Sequence, residues 1–141
     1  MKQIVNKVKE SGLITLDLAN FKPKETLVGL DVADQLWQGL VLKEKDFRAW
    51  IKDHDWESYQ GKAVYIFCSA DAIVPTWAYM LIASYLQPFA ASVYFGTTAE
   101  LYNKLTAEKI SAIDNTEYTD KRVVLKGCGD KEVPAIAYVL A

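Results

Sequence analysis

Lys62-Ala-Val-Tyr-Ile-Phe-Cys68-Ser-Ala-Asp-Ala-Ile-Val-Pro75 is the stretch whose reading decides the fold. Its first half, Ala63 to Phe67, is an unbroken apolar run with β-branched members, the mark of a strand buried on both faces. Its second half is a short loop ending at Pro75. Proline suits the first helical position, where a missing N–H costs nothing, so a helix is predicted from there to about Gln87, with Pro88 ending it. Downstream the same grammar continues. Ser92-Val-Tyr-Phe95 reads as a strand closed by Gly96, and Thr97 or Thr98 caps a helix through Leu101, Leu105 and Ile110. Arg122-Val-Val-Leu-Lys126 is a further strand, and Pro134 opens a last helix toward Ala141.

Upstream, residues 13–18 and 26–32 have strand-like length and apolar content, with a turn around Pro23 between them. From about Asp34 to His54 the period becomes helical: Phe47, Trp50 and Ile51 recur at i, i+3 and i+4, and Glu44 pairs with Arg48 on the outer face. Gly39 divides this stretch. Alternating strands and helices predict an α/β fold, a parallel or mixed sheet of about five strands with helices on both faces. With 141 residues and no linker or low-complexity segment, one domain over 1–141 is expected.

Residues 59–117 and 118–141 read as a repeat, the second copy incomplete. Tyr59, Lys62, Val74-Pro75, Ala78-Tyr79 and Leu81 stand at one offset from Tyr118, Lys121, Val133-Pro134, Ala137-Tyr138 and Leu140. Only the cysteine of each strand–Cys–loop–Pro–helix unit, Cys68 or Cys128, slips by one place. Both cysteines follow predicted parallel strands, where open α/β sheets place their crevices, and both precede helix N-termini, which favour an anion. Asp71 and Asp130 share those loops, and Tyr79 and Tyr138 begin the helices. Cys68, Asp71, Tyr79, Cys128, Asp130 and Tyr138 are therefore the candidate binding residues, and the two cysteines the candidate nucleophiles or metal ligands.

Each candidate has a plain structural reading beside the functional one. A free cysteine commonly packs as a small hydrophobe. Loop aspartates make turn and cap hydrogen bonds, and the two tyrosines can lock helix onto strand. No pair of ligands has the close spacing of a specific metal site. Gly127-Cys-Gly129 lacks the third glycine of a dinucleotide turn. His54, the one histidine, lies in Asp53-His-Asp-Trp56 at a predicted helix end, where an imidazolium complements the dipole and two carboxylates. The four tryptophans are expected in the core and the helix–sheet seams.

Composition narrows the function classes. A net charge of −2, with lysines interleaved among acids as in Lys43-Glu-Lys-Asp46, argues against nucleic acid as a partner. The longest apolar stretch, Trp77 to Leu86, is too short to span a bilayer, and residues 1–10 lack a signal-peptide pattern. A cytoplasmic protein with reduced thiols is expected. A homodimer is expected as the commonest assembly.

Gly39-Leu-Val-Leu-Lys-Glu-Lys-Asp-Phe-Arg48, His54-Asp-Trp56, Phe67-Cys-Ser-Ala-Asp-Ala-Ile-Val-Pro-Thr-Trp-Ala-Tyr-Met80 and Lys121-Arg-Val-Val-Leu-Lys-Gly-Cys128 resemble an uncharacterised bacterial family catalogued as domain of unknown function 2480. The resemblance covers nearly the whole chain. It implies no established activity; the sequence itself requires no cofactor and leaves an iron–sulfur cluster or other metal open, with Cys68 and Cys128 as the candidate ligands. The resemblance implies a longer chain with a further strand, and gene neighbours in iron–sulfur cluster assembly. Three functions follow as expectations. The first is an accessory or binding protein, linked to iron–sulfur assembly or sulfur handling through a protein partner. The second is a thiol enzyme resembling rhodanese-type sulfurtransferases, although residues 69–74 offer Asp71 and no base to cradle a sulfur anion. The third is a purely structural or interaction module.

Overall fold

The computed structural model describes residues 12–127 and 133–141. The chain divides into a continuous unit, Lys24–Leu101, and a split unit made of Met1–Pro23 and Tyr102–Ala141.

The continuous unit carries strands β2 (Leu27–Asp31), β3 (Ala63–Phe67) and β4 (Ser92–Phe95) in the order β2-β3-β4, with both pairings parallel. Helices α1 (Glu44–Asp53) and α2 (Thr76–Leu86) supply the crossovers that parallel strands require. The predicted period holds in α1. Phe47 and Ile51 are buried, and Glu44 accepts from Arg48 at 3.0 Å on the exposed side. Pro75 is the residue just before α2, one place outside the helix. Helix α2 carries no charged residue, and Ala78, Ile82 and Leu86 form its buried stripe. These side chains meet Leu30, Val64 and Ile66 of the sheet, together with Val32 and Trp56, in one core.

Between β2 and α1 the predicted helix start at Asp34 is replaced by a 3-10 turn, Val32–Gln35, and then a tight reversal. Gln38 and Gly39 both have positive φ (54° and 68°), and Trp37 N–H donates to Val41 O across the turn at 2.7 Å. Two successive left-handed residues make a hairpin turn that a helix cannot contain.

The split unit pairs β1 (Ile14–Asp17) in parallel with β5 (Val123–Lys126). Helix α3 (Thr98–Ser111) precedes β5 and helix α4 (Ala135–Leu140) follows it. Leu18, Ile110 and Ala137 form a buried cluster there, packed by Leu16, Phe21, Ile113 and Val133.

Among the described residues five strands and parallel pairing are present, but the expectation of one sheet is corrected: these strands form a three-stranded and a two-stranded sheet. Apolar periodicity says that a strand is buried without saying which neighbour buries it, so pairing partners are not written in the pattern.

The units share an order of elements: strand, 3-10 turn, helix, 3-10 turn, strand, helix. In the split unit these are β1, Leu18–Phe21, α3, Asn115–Tyr118, β5 and α4. In the continuous unit they are β2, Val32–Gln35, α1, Trp56–Tyr59, β3 and α2. Asp17 faces Lys126 just as Asp31 faces Phe67. Each of these aspartates ends its strand and accepts the N–H two residues on, from Ala19 at 3.0 Å and from Ala33 at 2.9 Å. The residue two after each later 3-10 turn has a positive φ, 72° at Gly61 and 59° at Asp120. Glycine and aspartate both tolerate that conformation.

Candidate functional site

The C-terminal edge of the three-stranded sheet gathers the chemistry of the continuous unit. Strand β2 ends at Asp31, and the parallel register places Phe67 beside it, so Cys68 and Ser69 emerge at the same edge. The Asp31 carboxylate is taken up by three donors. Ala33 N–H and Ser69 N–H reach Oδ1 at 2.9 and 3.0 Å, and Ser69 Oγ–H reaches Oδ2 at 2.5 Å. Burial works against the charge, but the hydrogen bonds from Ser69 and Ala33 outweigh it and hold the carboxyl below its usual range. Asp31 thus clamps the start of the loop that carries Cys68.

Cys68 is half-buried, is not in a disulfide, and its thiol donates to Ala70 O at 3.5 Å. Asp71 is exposed in the same loop. Tyr79, from the first turn of α2, is half-buried, with its ring edge-on to Phe95 at 4.9 Å. Burial first, then the neighbouring Cys68 and Asp31, pushes its hydroxyl above the ordinary value. Cys68, Tyr79 and Asp31 are therefore neighbours at one edge.

In the split unit, Cys128 and Asp130 lie outside the described residues. Tyr138 is exposed, and its hydroxyl stands against Gly127, so closely that a Cβ there would lie 1.6 Å from the oxygen. The strand register also bears on the paired-cysteine expectation. The residue following the strand is Cys68 after Phe67 but Gly127 after Lys126, so the two cysteines do not hold matching positions. Among the described residues, no three His, Cys, Asp or Glu side chains gather as a metal site.

His54 stands at the end of α1, as expected, but its ring sits among aromatic rings. Its backbone N–H closes α1 by donating to Trp50 O at 2.9 Å, while the ring packs against Trp50 (4.8 Å), Trp56 (4.7 Å) and Tyr59 (5.6 Å). His54 Nε2 and the Tyr59 hydroxyl share a hydrogen bond of 2.8 Å. Burial lowers the imidazole pKa, and Asp55 only partly opposes it, which favours the neutral ring over the expected imidazolium. Burial, then Asp55, pushes the Tyr59 hydroxyl up.

The Asp31–Ser69 clamp is what sequence reasoning missed, because its partners stand 38 residues apart. A signal was nevertheless present: Leu16-Asp17-Leu-Ala19 and Leu30-Asp31-Val-Ala33 repeat the strand-ending aspartate.

The chain belongs to the family described as protein of unknown function (DUF2480), whose model matches residues 2–141. No curated protein and no solved structure matches it. No helix among the described residues is long and apolar enough to cross a membrane.

Proposed function

We propose that the protein is a non-catalytic binding protein that engages a protein partner through the C-terminal edge of its three-stranded sheet. The observation that carries this reading is the exposed apolar side chains at that edge: Ile73, in the loop after β3, is 92% exposed, and Phe95, the last residue of β4, 62%. Large apolar side chains beside fixed polar groups are what a protein interface offers. Asp31 and Ser69 are committed to each other. A general acid or base works best with a pKa near the operating pH, and the Asp31 carboxyl is held the other way, down, by its own donors.

A link to iron–sulfur assembly or sulfur handling, which the family resemblance implies, would run through that partner, with Cys68 at the contact edge. The sulfurtransferase alternative draws no support from the geometry. The Cys68 thiol donates to Ala70 O, and residues 69–74 bring Asp71 and no base. We further infer that the two units are copies of one strand–turn–helix–turn–strand–helix motif, one inserted within the other. The shared element order, strand register and aspartate caps support that reading.

Photocrosslinking residues placed at positions 73 and 95, with position 57 as an exposed control, test the binding edge in cells. The expected result is a discrete adduct from 73 and 95 and none from 57, its mass showing whether the partner is another protein or a second copy. Equal labelling from position 57, or thiocyanate production from thiosulfate and cyanide that disappears in Cys68→Ser, would overturn the reading.

A further inference from the structure

Three connections leave the C-terminal ends of the parallel strands β2, β3 and β4: residues 32–43, 68–75 and 96–97. Each carries or adjoins an exposed large apolar side chain. Trp37 (46%), Leu40 (61%) and Val41 (50%) stand on the first, Ile73 on the second, and Phe95 ends the strand before the third. The connections at the other end of the sheet, 54–62 and 87–91, carry none, and the unit's remaining exposed apolar side chains, Met80 and Tyr85, lie on α2. Exposure on the first connection is built into the backbone. Trp37 N–H donates to Val41 O at 2.7 Å, Val41 N–H donates to Trp37 O at 3.3 Å, and Gln38 and Gly39 take the left-handed turn between them.

The charges at this end are mostly of one sign. Asp31, Asp34 and Asp71 lie in or beside the connections, and Glu100 lies in the first turn of α3. Lys43 is the only base in the three connections, and its ammonium sits over the Trp37 ring at 4.1 Å. On α1, which the first connection enters, Glu44 pairs with Arg48 and Lys45 is followed by Asp46, so its first turns add no net charge. Among the described residues the ion pairs are Glu44–Arg48 and Lys104–Glu108, so none of the four carboxylates has a cationic partner there. Carboxylates set among apolar side chains repel an anionic lipid surface and attract cations.

We propose that the partner meets this end with a basic, apolar peptide segment, its Lys or Arg side chains facing Asp34, Asp71 and Glu100 and its apolar side chains covering Leu40, Ile73 and Phe95. The inference rests on reading this end as the binding edge and adds the chemistry of what binds there. At the ordinary strand spacing the three strand ends span about 10 Å, so one short segment reaches all three connections.

The probe is a short synthetic peptide of interspersed arginine and leucine, titrated into the full chain and followed by NMR shifts. Its twin carries glutamate in place of every arginine. Saturable binding of the basic peptide is expected, with shifts at Leu40, Ile73 and Phe95. It should weaken several-fold at high salt, because exposed charges are screened, and the acidic twin should not bind. Asp34→Lys with Asp71→Lys should weaken the basic peptide by about fivefold or more, two exposed attractions being turned to repulsions. Asp53→Lys with Glu57→Lys makes the same change in net charge on exposed residues at the other end of the sheet, and should leave affinity within about twofold. Circular dichroism checks that both double variants are folded. Absence of saturable binding overturns the proposal, as does equal weakening by both double variants. Binding of the acidic twin, or of phosphatidylcholine–phosphatidylglycerol vesicles, as tight as that of the basic peptide also overturns it. Crosslinking from positions 73 and 95 without binding of the basic peptide would remove this inference alone and leave the binding edge standing.

Discussion

Removing the Asp31 carboxylate isolates the clamp at the sheet edge. Asp31→Ala deletes one local cap bond, from Ala33 N–H, and two long-range bonds, from Ser69 N–H and Oγ–H. A lost cap costs about 1 kcal/mol. Fully buried charge-assisted bonds would each add roughly 1.5–3 kcal/mol, but Ser69 is exposed and water competes for it. The pair is therefore put at about 1 kcal/mol, for a total near 2 kcal/mol. At about 3–4 °C per kcal/mol for a chain of this length, Tm should fall by roughly 6–8 °C. Urea unfolding of Asp31→Ala, Ser69→Ala and the double variant closes a mutant cycle, with a coupling near 1 kcal/mol expected. Asp31 has its folded pKa below the unfolded value, so its contribution is complete above about pH 4–5. That charge-linked part is lost as pH falls through the folded pKa, so the variant's deficit should shrink in acid. A second readout is local. In a Cys128→Ser background, freeing the loop should speed Cys68 alkylation several-fold, since the labelled thiol is the residue before the clamp. A coupling within about 0.3 kcal/mol of zero would refute the reasoning, because the Asp31–Ser69 contact would then carry no energy.

Two further predictions concern the aromatic cluster. Trp56→Phe keeps a ring in the core but leaves Ile51 O without the indole donor, so about 1–3 kcal/mol of stability should be lost, measured by denaturant midpoint at constant m-value. His54, whose folded pKa lies below its unfolded value near 6.5, contributes stability that is complete above that pH and is lost as pH falls through the folded pKa. Tm should therefore drop between neutral pH and about pH 5, and His54→Gln should flatten that slope; a parallel decline in both proteins would assign it elsewhere.

Local grammar was readable wherever a few neighbouring residues decide the outcome. The apolar run Ala63–Phe67, the proline before α2 and the Phe47–Ile51 stripe each became the expected element. Contacts made across the chain were not. Which strands pair, and hence the division into two sheets, depends on partners that look alike by composition. The Asp31–Ser69 clamp joins two loops with no spacing rule between them. The His54 box lies between these cases: Trp50 and His54 are one helical turn apart, but only the 3-10 turn Trp56–Tyr59 folds the other two rings onto them.

Cys68 and Cys128 are the reactive residues near two similar strands, and they differ by one place in the repeat. The neighbouring constants, Lys62 with Lys121 and Pro75 with Pro134, kept their offset and put Gly127 opposite Cys68. Gly127 has its own reason for being glycine there, because the Tyr138 hydroxyl fills the space a side chain would need. At the matching place in the continuous unit, the thiol of Cys68 and the hydroxyl of Tyr79 are both accommodated beside Asp31. If the units are copies, features common to both are explained by the shared fold: the aspartate cap, the left-handed residue, the proline and the buried alanine. The differences are then the informative positions. Cys68 against Gly127 and Trp56 against Asn115 are two such differences, the first at the edge proposed for binding and the second at the residue that completes one core.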